Sequence, residues 1–180
     1  MSHIRAQQTL DATGNFSFSS VPPGKYVLQL MPMPGGFYVA DVRIGARSIL
    51  VDGIIAVGTD PLDPMELTLR RGGGQIQVTV VGTPEQGGIP GVGGARFVLA
   101  PAKGRNALLY KVINAPRGLP SVFNDVAPGD YKVFAFSNLP TGGAEQNAAF
   151  MAKYDSFAVS VHVDPGQNVP VEVRWIPADK

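Results

Sequence analysis

Residues 16–30 read FSFSSVPPGKYVLQL, and residues 123–136 read FNDVAPGDYKVFAF. Both stretches run as strand-like sequence, break at proline and glycine, and resume at tyrosine. Proline holds φ at about −65° and has no amide to donate, so Pro22-Pro23 and Pro128 should end sheet pairing. The glycine that follows is expected to supply a positive φ, as at the third position of a type II turn, at Gly24 and Gly129. Tyr26 and Tyr131 then restart a strand, ring toward the core and hydroxyl bonded near its edge. Each stretch therefore reads as strand, turn and strand, and not as an active-site loop.

The two turns echo each other residue by residue. Phe18, Val21, Pro23, Gly24 and Tyr26 recur 105 positions later as Phe123, Val126, Pro128, Gly129 and Tyr131. A second agreement lies far from the first: Leu67 and Leu69 in MELTLRR match Val171 and Val173 in VEVRWI, 104 positions on. Two separated matches at nearly one spacing predict a tandem repeat. The expected boundaries are 1–71 for the first unit, a glycine linker at 72–74, and 75–180 for the second. In the second unit, GQIQVTVV and GARFVLAPA precede the turn, and their counterparts would fall before Met1. The first unit is thus expected to lack its opening strands, which implies a fragment of a longer protein or an edge completed from elsewhere.

Alternation supports strands throughout. Ile76, Val78 and Val80 share one face of GQIQVTVV, opposite Gln75, Gln77 and Thr79. DYKVFAF carries apolar groups on both faces, as a central strand would. Phe157, Val159, Val161 and Val163 oppose Ser156, Ser160 and His162, while Val169, Val171, Val173 and Trp175 oppose Glu172 and Arg174. The one helical candidate is GGAEQNAAFMAKYDS, where Ala148, Phe150, Met151 and Tyr154 fall on one face. Short strands between Gly, Pro, Asn and Asp turns predict an all-β sandwich or barrel. The 22 glycines and 16 prolines lie between apolar runs and so act as turns, not as a disordered tract.

The patterns DATGNFSFSSVPPGKY and FNDVAPGDY resemble the carboxypeptidase regulatory-like domain, a transthyretin-like, Cna-B-type β-sandwich of bacterial surface and secreted proteins. Asp11, Gly14, Phe16, Phe18, Val21, Pro22, Pro23, Gly24 and Tyr26 carry the likeness in the first copy. The second departs from it upstream, where NAPRGLPSVF replaces the Asp-x-x-Gly-x-Phe segment. The resemblance implies tandem transthyretin-like or Ig-like sandwich modules in an extracytoplasmic protein: periplasmic, surface-bound or secreted. The given chain opens MSHIRAQQ, without the charged and apolar regions of a signal peptide.

No chemistry-bearing constellation emerges. A net charge of +1, spread without a basic run, argues against nucleic acid. The longest apolar run, SILVDGIIAVG, is too short for a membrane span and contains Asp52. With no cysteine there is neither disulfide nor thiolate site. His3 and His162 lack metal-site spacing, and Asp60 and Asp63 lack the acidic density of a calcium loop. GGGQIQV precedes a strand and not the helix N-terminus that phosphate loops use. Some Cna-B domains carry a Lys–Asn cross-link, but GQIQVTVV has no lysine and VEVRWI no asparagine. No catalytic residue, metal ligand or cofactor is expected, and the marked positions Val21, Pro23, Gly24, Tyr26, Val126, Pro128, Gly129 and Tyr131 are structural. The expected role is a non-catalytic spacer, scaffold or adhesion unit. One alternative is carbohydrate binding through Phe37, Tyr38, Tyr110, Phe150, Tyr154 and Trp175. Another is an assembly subunit completed by strand donation, its partner a polysaccharide or a protein strand.

Overall fold

The computed structural model describes residues 7–82, 94–104, 106–116, 120–137 and 144–176. They form twelve strands: β1 Gly24–Val27, β2 Phe37–Ile44, β3 Arg47–Ser48, β4 Ile54–Val57, β5 Met65–Arg71, β6 Gly74–Val81, β7 Gly94–Pro101, β8 Lys111–Pro116, β9 Ser121–Val126, β10 Gly129–Phe136, β11 Val159–Val163 and β12 Asn168–Ile176. Among the described residues the one α-helix, α1, is Ala148–Ala152. The chain is all-β in character, its sheets packed as a sandwich that nearly closes into a barrel.

From β6 onward the strands follow the order β8-β7-β10-β12-β6-β9, with β11 also on β10. β12 lies parallel to β6, pairing Val171 with Val78 and Val173 with Val80. β9 runs antiparallel on the other edge of β6, placing Phe123 opposite Ile76. β10 begins against β11 and ends beside β12 at Ala135–Phe136, which joins the two layers. Between them lie Ile76, Val78, Phe97, Leu99, Phe123, Tyr131, Val133, Val161, Val163, Val171 and Val173. Each such aliphatic or aromatic side chain taken from water contributes about 1.5–3 kcal/mol.

β10 is buried on both faces. Its second face, Phe134 and Phe136, packs with Val98, Ala100, Ile176, Met151 and Tyr154. The cover is the helical segment, whose N-cap Asn147 accepts from the amides of Ala149 and Phe150. Phe157 is a correction to the strand pattern. It sits in a 3-10 turn, Asp155–Phe157, and packs on this second cluster, apart from Val161 and Val163.

Residues before β6 make two small sheets, β3-β2-β5 and β1-β4. Val39, Val42, Ile49 and Ile55 are buried between them, helped by Tyr26, Leu67, Leu69 and, from beyond β6, Leu108. Here two expectations fail. The run from Phe16 to Pro23 is not in any sheet; the strand starts only at Gly24. Phe16, Phe18 and Val21 are nevertheless half-buried. Gly24, in turn, has no positive φ, whereas Gly129 has φ 147°. The left-handed residues that both turns share are Ser20 (φ 58°) and Asp125 (φ 54°), again 105 positions apart.

Residues 72–74, expected as a linker, lead directly from β5 into β6. Gly74 is the first residue of β6, opposite Val126, and a Cβ there would come within 2.3 Å of Val163 Cγ1. A Cβ on Gly73 would meet the carbonyl carbon of Asp125 at 2.9 Å. Glycine serves here for close approach of packed backbones.

Candidate functional site

The marked turn residues fall into two corners of like construction. Tyr26 donates its hydroxyl to the Pro22 carbonyl at 2.8 Å, and Tyr131 donates to the Ala127 carbonyl at 2.9 Å. Each tyrosine thus ties its strand to the turn four residues earlier, as a tyrosine corner does. Val126 and Tyr131 are buried, Val21 and Tyr26 half-buried, and Pro23 and Pro128 exposed. Burial pushes the Tyr131 phenol up to about 12.

Side chains from before and after β6 converge beside the Tyr131 corner. Asn106, 2 % exposed, donates Nδ2 to the Leu50 carbonyl at 2.8 Å. Its Oδ1 accepts from the Leu108 amide at 3.0 Å, capping the 3-10 turn that delivers Leu108 to the first core. Asp125 Oδ2 accepts from the Gly36 amide at 3.0 Å. Gly53 (φ 63°) passes so close to Asn106 that a Cβ would lie 2.5 Å from its Cα. Lys111 lines the same junction, its ammonium pKa lowered by burial and partly restored by the nearby Asp125 charge. The cavity left among Tyr38, Leu108, Lys111, Asp125 and Tyr131 is only about 10 Å³, room for about one water. Among the described residues the side chains at this joint are closely packed.

A larger hollow, about 510 Å³, is a polar trough on the outer face of β2 and β5. Asp41, Arg43, Glu66, Thr68 and Arg70 line it, with Ala40 at a bulge in β2. Asp41 is held by Ser48 Oγ at 2.6 Å and faces Arg43 at 3.5 Å. The Ser48 hydrogen bond is the main cause holding its carboxyl below the usual range.

His3 lies outside the described residues. His162, exposed on β11 as its alternation requires, places Nδ1 2.7 Å from Asp130 and Nε2 3.4 Å from Asp164. The Asp130 hydrogen bond raises its pKa above the usual histidine value, against a smaller desolvation effect. Asp60 and Asp63 lie on the exposed loop between β4 and β5, where the Asp63 carboxylate covers the Gly45 turn. Among the described residues, no three His, Asp or Glu side chains are grouped to hold a metal. No helix among them is long and apolar enough to cross a membrane.

The six aromatics do not form one surface. Tyr154 is buried, Tyr110 and Phe150 pack on the second cluster, and Trp175 packs on the main core. Phe37 and Tyr38 are neighbours on β2, so they point to opposite faces, with the Arg71 guanidinium 4.8 Å over Phe37. Asn106 and Asp125 are the joint residues that alternation does not reveal. The only local signals are a polar residue just before an apolar turn and the pairing of Asp125 with Ser20 at the repeat spacing. No family model, curated protein or solved structure matches the chain.

Proposed function

We propose that this chain is a non-catalytic structural module: two tandem β-sandwich units of the carboxypeptidase regulatory-like type, serving as a spacer or scaffold in a bacterial extracytoplasmic protein. The tandem reading rests on the paired tyrosine corners, the paired left-handed residues Ser20 and Asp125, and the common spacing of 105. One observation carries the mechanical role. Only Gly72 and Gly73 separate β5 from β6, and Asn106 and Asp125 pin the two parts across the joint. A spacer transmits orientation only if its joint resists bending, and hydrogen bonds across it together with close backbone packing at Gly53 and Gly73 supply that resistance.

The absence of cysteine makes the test clean. Spin labels on Lys25→Cys and Glu172→Cys, both exposed sites, should give one narrow distance distribution, broadened by Asn106→Ala. A broad distribution in the parent pair defeats the rigid-spacer reading. Turnover that persists through purification and vanishes on one polar substitution defeats the non-catalytic one.

The polar trough on β2 and β5 favours a second reading, carbohydrate binding, because Asp41, Glu66, Thr68 and Arg70 offer donors and acceptors on one face. Glycan-array binding abolished by Arg70→Ala would support it, and uniform negatives would remove it.

A further inference from the structure

We infer that the chain bears tension: β6 and β12 form a shear clamp along the polypeptide, in series with strands before β6 that give way by unzipping. This role rests on the spacer reading and adds load-bearing to it.

The direction of pulling decides how a strand pair breaks. Drawn apart from one end of their ladder, two strands part bond by bond, each bond carrying the whole load in turn. Drawn from opposite ends, they load all the bonds together. The register, and the points where the chain enters and leaves the pair, decide which case applies.

The chain enters β6 from β5 at Gly74 and leaves β12 at Ile176. The two strands are parallel over seven consecutive pairs, from Gln75 with Asn168 to Val81 with Arg174. Entry is thus at one end of the ladder and exit at the other, so tension along the chain shears it. The bonds of a parallel pair are evenly spaced, which shares the load among them. Ile76, Val78, Val171 and Val173 bury the inner face of the pair and keep water from those bonds. β9 holds the other edge of β6, and β10 holds the end of β12 at Trp175 and Ile176.

The entry end is tied further. The Gln75 amide donates to the Gln167 carbonyl at 2.7 Å, and the Gly166 amide to the Gly72 carbonyl at 2.9 Å. The first of these bonds sets the phase of the ladder. Bonding residues alternate along a strand, so Val169, Val171 and Val173 turn their amides to β6, while Pro170 lies with its nitrogen turned away. A proline therefore sits in the loaded strand without removing a loaded bond.

The strands before β6 are loaded the other way. The chain leaves β5 at Arg71, whose partner is Phe37, where it enters β2. It enters β1 at Gly24, whose partner is Val57, where it leaves β4. In both antiparallel ladders tension separates partners at one end, and the pairs open in sequence. Asn106 on Leu50 and Asp125 on Gly36 hold these strands to the clamp until they yield.

Single-molecule pulling of the full chain tests this, with handles on introduced cysteines, since the chain has none of its own. One variant carries Gln75→Cys with Arg174→Cys, and the other Gln75→Cys with Asn168→Cys, all at exposed positions. The first pair loads opposite ends of the β6–β12 ladder and the second pair a single end. At equal pulling speed the first should rupture at a several-fold higher force, because forced unfolding follows the barrier along the pulled direction. Equal forces, or a higher force for the second variant, overturn the clamp. So does a force difference matched by a difference in urea midpoint, which would report stability and not direction. With handles at both ends of the chain, a low-force extension should come first. A high-force rupture should follow, releasing about 3.5 Å per residue over 75–176, less the folded span. The reverse order, or a single event, overturns the series arrangement. The spin-label distances are read without load, so failure of the clamp and failure of the rigid spacer are told apart.

Discussion

Tyr26 and Tyr131 make the same hydrogen bond to the carbonyl four residues back, yet their surroundings differ. Tyr131 is 3 % exposed within a strand flanked by β7 on one edge and by β11 and β12 on the other. Tyr26 is half-buried on a four-residue strand that pairs only with β4. β10 is covered on both faces, whereas β1 leaves Lys25 and Val27 exposed. The turn is a local device that forms wherever its residues occur, because proline, the left-handed residue and the tyrosine hydroxyl lie within seven positions. Burial is not local. It depends on which strands arrive from elsewhere: β10 has β7, β11 and β12 along its edges, whereas β1 has β4 alone among the described residues.

The largest expected contrast lies at the phenylalanines of equal position. Phe123→Ala should cost about 3–5 kcal/mol, because the ring is 1 % exposed and its loss leaves a cavity. Phe18→Ala should cost under about 1.5 kcal/mol, since its ring keeps much of its water contact. Urea unfolding of the two variants measures both, and equal losses would erase the distinction between the units. Asn106→Ala comes next at about 2 kcal/mol, because it strands the Leu50 carbonyl and the Leu108 amide in the joint. It should also split one unfolding transition into two; a single sharpened transition would show that the units do not communicate through Asn106.

The corners themselves give a smaller effect. Tyr131→Phe should cost about 1–2 kcal/mol and Tyr26→Phe less than about 1 kcal/mol. Burial pushes the Tyr131 phenol up to about 12 from the ordinary tyrosine value of 10.0. A raised pKa means that its stabilisation is intact below pH 10 and lost as pH rises toward 12. Alkaline unfolding should therefore shift in Tyr131→Phe, and an unchanged profile would assign the alkaline limb to other groups. Gly129→Ala should cost about 1 kcal/mol for its positive φ, while Gly24→Ala should be neutral or slightly stabilising. A loss at Gly24 as large as that at Gly129 would make the two turns alike in backbone as well as in hydrogen bond.

The smallest contrast is ionic. Asp130 faces His162 across β10 and β11, whereas Lys25, which follows Gly24 as Asp130 follows Gly129, faces Ala56 across β1 and β4. The Asp130 hydrogen bond raises the His162 pKa, so its contribution is complete below about pH 6.5, the ordinary histidine value, and fades as pH rises through the folded value. An NMR titration should place the His162 midpoint above the free value and return it in Asp130→Asn. A midpoint that ignores Asp130 would break the assignment.

Much of the chain from β6 onward was legible as pattern. Strict alternation marked Ile76 and Val78 as one face of their strand and Val171 and Val173 as one face of theirs, and the two-sided DYKVFAF marked a central strand. The pattern failed where a residue's role depends on something distant. Phe16 and Phe18 alternate as a strand does and still form none, because a strand needs a neighbour and alternation cannot say whether one is there. Phe157 keeps the parity of Val159 and Val161, but the chain turns before reaching it. The joint was hidden for the same reason: Asn106 meets Leu50 across 56 residues, and Gly74 must lack a side chain only because Val163 lies against it.

By itself the sequence determined the all-β character, the breaks at Pro22-Pro23 and Pro128, and the inward residues of β6, β11 and β12. These follow from period-two alternation and from the backbone restrictions of proline and glycine, which act within a few residues. Only the tertiary structure decided that β6 runs parallel to β12, that Ser20 and Asp125 rather than the paired glycines carry the shared left-handed turn, and that Gly73 and Gly74 are packed into the joint. Each depends on atoms brought together from far along the chain, where sterics and burial outweigh local preference.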